Sequence, residues 1–118
     1  MLLVEDEPLI RMIMAEILHE AGFDVAEAET GDLALQMVQH PPQPFTLLVT
    51  DFHMPGASNG FDVAHAVRQR WPTIPVIIAS GRPDFFQQHW QDQLGYRLLK
   101  KPYTPSELVR LAHDLVGA

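Results

Sequence analysis

Five polar side chains stand where apolar runs end: Glu5 and Asp6 after Leu2-Leu3-Val4, Asp51 after the run 47–49 and Thr50, Ser80 after the run 76–79, and Lys101 after Leu98, Leu99 and Lys100. Three carboxylates around one point repel, so they call for a cation or a proton. A hard ion with oxygen ligands, Mg²⁺, suits one or two carboxylates plus phosphate oxygens. Asp51 is then a candidate carboxylate nucleophile toward a phosphoryl group. Ser80 can donate a hydrogen bond to a phosphoryl oxygen, and Lys101 can neutralise another as a compact point charge. Phosphoryl transfer asks mostly for positioning and charge neutralisation. Each residue alone has a plainer reading: Glu5 and Asp6 complement a helix dipole, Asp51 is a loop acid or a cap, Ser80 starts a turn, and Lys101 is a solvated cation before a proline. Their coincidence at four strand ends is what points to a site.

The elements that must bring them together follow from periodicity. Residues 2–4 read as a short buried strand. Pro8 suits a first helical position, and Leu9, Ile13, Ile17 with Ile10, Met14, Leu18 recur at helical spacing over 9–21, with Gly22 as the stop. Residues 24–28 form a weak strand anchored by Val25, placed at a sheet edge. Thr30 caps a helix with Leu33, Ala34, Met37 and Val38 as its buried stripe, and His40-Pro41-Pro42-Gln43-Pro44 ends it. Residues 45–51 are the third strand, closed by a turn at Met54-Pro55-Gly56. Ser58-Asn59-Gly60 leads to a helix with Phe61, Ala64, Val67 and Trp71 on one face, and Pro72 and Pro75 bracket its exit. Residues 76–79 are a fully buried strand. Residues 84–94 read as a marginal helix, with Phe86, Trp90 and Leu94 at i, i+4, i+8 among glutamines, ended by Gly95. Residues 96–100 are the fifth strand. Thr104-Pro105-Ser106-Glu107 is a capping box that opens a last helix with Leu108, Leu111, Ala112 and Leu115 on its face. Five strands alternating with five helices predict one parallel α/β sheet covered on both faces. Ligands in such folds bind beyond the C-terminal strand ends.

Length and charge narrow the function classes. A chain of 118 residues fits a single domain, 1–118. It has no Cys, which removes disulfides and thiol chemistry and fits a reducing compartment. Its net charge of −7, with 15 acidic and 8 basic residues scattered along the chain, lacks the basic footprint of direct nucleic-acid binding. No apolar run reaches the ~18 residues a membrane span needs. No signal peptide is read, so a cytoplasmic, non-membrane location is expected. Strand character from Leu2 without a lead-in fits a tightly starting chain or a piece of a longer one. The six His residues include no i, i+4 pair, so no His-based metal site is expected.

VEDEP, LLVTDFHMPG, PVIIASG and LLKKPY, in this order and spacing, resemble the receiver domain of bacterial two-component response regulators (CheY-like) over essentially the whole chain. The resemblance implies a flavodoxin-like (βα)5 fold with strand order 2-1-3-4-5. It makes Asp51 the phosphorylated aspartate. Asp6 and Asp51 ligate Mg²⁺, Glu5 is the second acid acting through water, and the backbone carbonyl of His53 is the third protein ligand. Ser80 is the switch hydroxyl and Lys101 the phosphate-binding lysine, with a Lys101–Pro102 peptide that is often cis. The implied function is a phosphorelay switch, not an enzyme beyond assisting its own phosphorylation and dephosphorylation. The implied partners are a sensor histidine kinase or phosphotransfer protein. An effector or second copy would meet the face made by the fourth helix, fifth strand and fifth helix, where part of the Phe85, Phe86 and Trp90 group would bind. Leu98 stands where the family often carries an aromatic, so switching would rest more on the backbone after Ser80. His53 and Arg82 match lifetime-tuning positions, and Arg82 would screen attacking water or pair with the phosphoryl group.

Two other readings stay open. A haloacid-dehalogenase-type phosphatase also uses a strand-end aspartate with Mg²⁺, but it wants a second Asp two residues on, where His53 stands, and room for a cap domain. A pseudo-receiver would fold without being phosphorylated; the complete set of five site residues speaks against it.

Overall fold

Short strands of three to five residues build the sheet, and its three central strands are the mostly apolar ones. The computed structural model of the chain describes residues 1–54, 56–81 and 95–117. Its strands are β1 (Leu2–Val4), β2 (Ala26–Ala28), β3 (Leu48–Asp51), β4 (Val76–Ser80) and β5 (Arg97–Lys100). Its described helices are α1 (Pro8–Glu20), α2 (Gly31–Gln39), α3 (Gly60–Arg70) and α4 (Pro105–Val116). All strand pairings are parallel, in the order β2-β1-β3-β4-β5, as the resemblance implies. The helix expected over 84–94 lies outside the described residues, so four of the five expected helices are described.

Strand alternation divides the core in two. Leu2, Val4, Leu48, Val76 and Ile78 face one side, where Ala34 and Val38 of α2 and Val63, Ala64 and Val67 of α3 pack on them. Leu3, Val49, Ile77, Ala79 and Leu99 face the other, against Met14, Ala15 and Leu18 of α1 and Leu108 and Ala112 of α4. Both faces of β1, β3 and β4 are therefore buried, which is why these strands read as unbroken apolar runs. The chain leaves β1 toward β2 on one side and returns to β3 on the other. The sheet's switch point thus falls between β1 and β3, whose C-terminal ends carry Glu5 and Asp51.

Several boundaries differ from the sequence pattern. The third strand begins at Leu48, not at residue 45: Phe45 and Leu47 are buried, one in each core cluster, but residues 45–47 stand outside the paired strand. β2 is cut to three residues because its partner β1 offers only three, and it lies at the sheet edge as expected. β4 runs one residue further and includes Ser80. Leu33 was expected in the buried stripe of α2, yet it is 38% exposed; Ala34 and Val38 carry that contact. On α1 only Met14, Ala15 and Leu18 are buried, and Leu9, Ile10, Met12 and Ile13 face outward. Val63, missed in the sequence pattern, is the buried anchor beside Ala64 and Val67 on α3.

Caps fix where helices begin. The Thr30 and Thr104 hydroxyls accept the N–H groups of Leu33 and Glu107 at 3.0 and 3.1 Å. Asn59 and Asp62 form a reciprocal capping box that the sequence pattern did not single out. Gly60, the first residue of α3, sits so close to the end of β3 that a Cβ there would lie 2.5 Å from the Asp51 carbonyl oxygen. Any larger residue would push on the backbone of Asp51 itself. The Lys101–Pro102 peptide is cis.

Candidate functional site

Asp51 is the last residue of β3 and is buried, with 4% of its surface exposed. Its backbone is held from several sides. The Thr50 hydroxyl donates to the Asp51 carbonyl at 2.9 Å. The next amide, of Phe52, donates to the Ala79 carbonyl of β4 at 2.9 Å, and the Gly60 amide donates to the Phe52 carbonyl at 2.9 Å. The carboxylate is thus presented on rigid elements, as a reacting group must be.

The two oxygens of Asp51 have different surroundings. Oδ1 meets Lys101 Nζ at 2.6 Å. Oδ2 is buried with no hydrogen-bond partner. Burying a carboxylate oxygen without a partner is costly, so this atom points to a ligand. One carboxylate oxygen each from Glu5, Asp6 and Asp51 lie within 4.8 Å of one another. Among the described residues this is the one group of three or more acidic or His side chains so arranged. An all-oxygen set of hard, negative donors fits a divalent cation of the Mg²⁺ or Ca²⁺ type rather than a soft metal.

The electrostatics say the same. Burial raises the Glu5 carboxyl above its ordinary value, and the neighbouring Asp51 carboxylate, with which a proton on Glu5 would be shared, raises it further; the Glu7 N–H works against this. Asp6 is raised by burial and then by Glu5. Burial works against the charge on Lys101, but the contact with Asp51 and the charges of Asp51, Glu5 and Asp6 outweigh it, and Lys101 holds its proton above the ordinary lysine value. The site therefore holds more negative charge than one lysine balances.

The sequence-predicted residues that are described have definite places. Glu5, Asp6, Asp51 and Lys101 come together on one rim. Ser80 is buried at the end of β4, and its carbonyl accepts the Lys101 amide at 2.9 Å. His53 is exposed two residues after Asp51, its ring edge-on to Phe52 with centroids 4.6 Å apart. Leu98 is partly buried against the α2–α3 side of the core. Arg82, Phe85, Phe86 and Trp90 lie outside the described residues.

Tyr103 was not among the residues read as functional. Burial and the charges of Asp51 and Glu5 push its hydroxyl up to about 12, so it stays protonated. With Glu5, Ile10, Met14, Lys101, Pro102 and Pro105 it lines a groove of about 450 Å³ beside the acids. The only sequence signal for it was its place two residues after Lys101.

Comparison with known proteins gives the family. A family model described as the response regulator receiver domain matches residues 1–113. A probable transcriptional regulatory protein of Picosynechococcus sp. is 31% identical over 121 residues, covering 98% of this chain and 48% of the relative. The transcriptional regulatory protein AruR of Pseudomonas aeruginosa is 31% identical over 119 residues, with the same 98% and 48% coverage. The chain thus spans about half the length of these curated relatives. The crystal structure of a response regulator receiver protein from Sinorhizobium medicae is 26% identical and superimposes with a TM-score of 0.86, over 99% of this chain and 93% of that one. With its fold, its acidic rim and these matches in agreement, the chain belongs to the response regulator receiver domain family of two-component systems.

Proposed function

We propose that this receiver domain is a phosphorylation-dependent switch that takes a phosphoryl group onto Asp51. The observation that carries the reading is the divided environment of that carboxylate: one oxygen on Lys101 at 2.6 Å, the other buried and unpartnered beside two further acids. Glu5, Asp6, Asp51 and the backbone carbonyl of His53 would hold Mg²⁺, which when bound supplies positive charge against the phosphoryl oxygens. A carboxylate oxygen of Asp51 attacks phosphorus in line. An O–P bond forms as the P–N bond of a phosphohistidine, or the P–O bond of acetyl phosphate, breaks and its electron pair leaves with the donor. Lys101 neutralises a phosphoryl oxygen and the Ser80 hydroxyl donates to another. The domain assists its own phosphorylation and later hydrolysis and turns over no separate substrate.

The donor is a sensor histidine kinase or a phosphotransfer protein in the cytoplasm. Among the described residues no helix is long and apolar enough to cross a membrane. The outward face of α1, with Leu9, Ile10, Met12 and Ile13 exposed, adjoins the groove that Glu5 and Lys101 line. A protein donor that reaches Asp51 through this groove would cover that face. Output to an effector, or pairing with a second copy, would use β5 and α4 with the segment 84–94 between β4 and β5.

Treatment with acetyl phosphate and Mg²⁺, and separately with beryllofluoride and Mg²⁺, tests the reading. The wild-type chain should take up one phosphoryl group, seen by mass, and change its spectrum with beryllofluoride. Asp51→Asn should lose uptake by on the order of 10³-fold or more. Uptake that survives in Asp51→Asn would sink the assignment.

A further inference from the structure

The acidic pair sits on a three-residue connection, Glu5-Asp6-Glu7, between β1 and α1, and how that connection is fixed sets where two of the three carboxylates point. The other described helices are each opened by a side chain that accepts a backbone N–H: Thr30, Asn59 and Thr104. α1 is not. Its N-cap residue, Glu7, makes no side-chain cap bond, and its first turn holds no acid. The helix that follows the acidic pair thus starts on Pro8 without a side-chain cap.

Arg11 ties down the connection from inside the helix. Its Nη1 donates to the Glu5 carbonyl at 2.9 Å. Its Nε lies 3.4 Å from Glu27 Oε1 on the edge strand β2. The Glu5 amide donates to the Ala28 carbonyl, also on β2, at 3.1 Å. Both polar groups of the Glu5 backbone are therefore tied to β2, one directly and one through the Arg11 fork. The Glu5 carboxylate in turn accepts the Glu7 amide at 3.1 Å. The Arg11 side chain is 15% exposed, so its fork is held against the protein rather than waving in solvent.

We infer that Arg11 is a positioning residue for the metal site: through the Glu5 carbonyl and Glu27 it fixes the aim of the Glu5 and Asp6 carboxylates. This rests on the Mg²⁺ reading given above. The rival role for a cation here is to balance the surplus negative charge, and the two roles predict opposite signs. If Arg11 only balances charge, removing it leaves the acids more negative, and Mg²⁺ binds more tightly. If Arg11 positions, removing it lets the connection relax, and Mg²⁺ binds more weakly. Lys in its place keeps the charge but loses the planar fork that reaches carbonyl and carboxylate together.

The test is calorimetric titration of Mg²⁺ into wild type, Arg11→Gln, Arg11→Lys and Glu27→Gln, with hydrogen exchange of the Glu7 amide followed in the metal-free proteins. Both Arg11 variants should bind Mg²⁺ roughly tenfold more weakly, as lost outer-layer support commonly costs, and should expose the Glu7 amide to faster exchange. Glu27→Gln keeps the Arg11–Glu5 contact and should lose roughly two- to fivefold. Because Glu27→Gln also removes a negative charge, its Mg²⁺ affinity falls under either role; should an Arg11 variant not fold, faster exchange of the Glu7 amide in Glu27→Gln carries the test. Unchanged or tighter Mg²⁺ binding in Arg11→Gln, or unchanged exchange of the Glu7 amide in Glu27→Gln where it alone folds, overturns the inference. A wild-type chain that binds no Mg²⁺ overturns the underlying reading instead, and this inference with it.

Discussion

Two adjoining regions of this molecule break the rule of apolar inside and charged outside, in opposite directions. At the rim of β1 and β3, Glu5 and Asp51 are buried, Asp51 with an unpartnered oxygen. On the outward face of α1, Leu9 is 67% exposed, with Ile10, Met12 and Ile13 beside it. They meet at the groove lined by Glu5, Ile10, Met14, Lys101 and Tyr103. Stability alone favours neither: the acids would gain by being apart, and the apolar face would gain by being polar. Their adjacency makes sense if something occupies the acids and something covers the helix, as the function proposed above requires.

The same substitution at two places on α1 separates packing from recognition. Leu18 is fully buried under the sheet, while Leu9 faces outward about two and a half turns earlier. Leu18→Ala removes core atoms and leaves a cavity, and should cost about 2–5 kcal/mol. Leu9→Ala should change stability by about 0.5 kcal/mol or less. Urea midpoints at unchanged slope measure both. Leu9→Ala should instead slow transfer from a phosphohistidine donor by roughly fivefold or more while leaving the acetyl phosphate rate unchanged, because a small donor has no use for the face. Equal slowing with both donors would mean that α1 acts on the site and not on a partner.

The acidic rim should answer in the other direction. Glu5→Gln keeps an oxygen that can accept the Glu7 amide, so the connection to α1 keeps its hydrogen bond. It removes one of three crowded charges. The metal-free variant should be more stable than wild type by about 0.5–2 kcal/mol, the common gain when a functional site is relieved of strain. The advantage should shrink or reverse in saturating Mg²⁺, which stabilises wild type by binding only its folded form. A Glu5→Gln chain less stable than wild type without metal would mean that the acids are not in conflict.

How far the sequence carried depended on what decides each feature. Asp51, Glu5, Asp6, Ser80 and Lys101 were legible because each follows a short apolar run, and a parallel sheet must deliver all such ends to one rim. The five strands were legible for the same reason. Burial along helices was not. Leu9, Ile10 and Ile13 have helical spacing and look like core, but only Met14, Ala15 and Leu18 are buried; Ile10 shares a stripe with Met14 and Leu18 and is still exposed, because periodicity cannot say where along a helix the cover of the sheet begins. Leu33 was misplaced in the same way, one position from Ala34. Arg11 was invisible because its contacts are a backbone carbonyl six residues back and a glutamate on the edge strand β2. Gly60 likewise matters through a contact with the Asp51 backbone that no local pattern encodes.

Acidity offers a finer measure of the contrast between the rim and the α1 face, because only the rim titrates. The folded chain holds protons on Glu5 and Asp6 more tightly than the unfolded chain, whose carboxyls keep their ordinary values near 4.5 and 3.8. Their contribution to stability is therefore fully present below those values and is lost as pH rises through the raised, folded ones. Lys101, also raised, contributes stability below its ordinary 10.5 that is lost only at more alkaline pH, outside this window. The urea midpoint of the metal-free wild type should thus fall behind that of Glu5→Gln as pH climbs from about 4.5, and the gap should level off once Glu5 is fully ionised. This effect is smaller than the neutral-pH gap, being the same crowding met part of the way. Leu9→Ala, with no titrating group, should track wild type at every pH. On the proposed reading, protons and Mg²⁺ compete for the same oxygens, so Mg²⁺ affinity should rise over the same window in which wild-type stability falls. If affinity rises but the two midpoints run parallel, the proton and the metal are using different carboxylates, and Asp6 rather than Glu5 holds the proton that Mg²⁺ displaces.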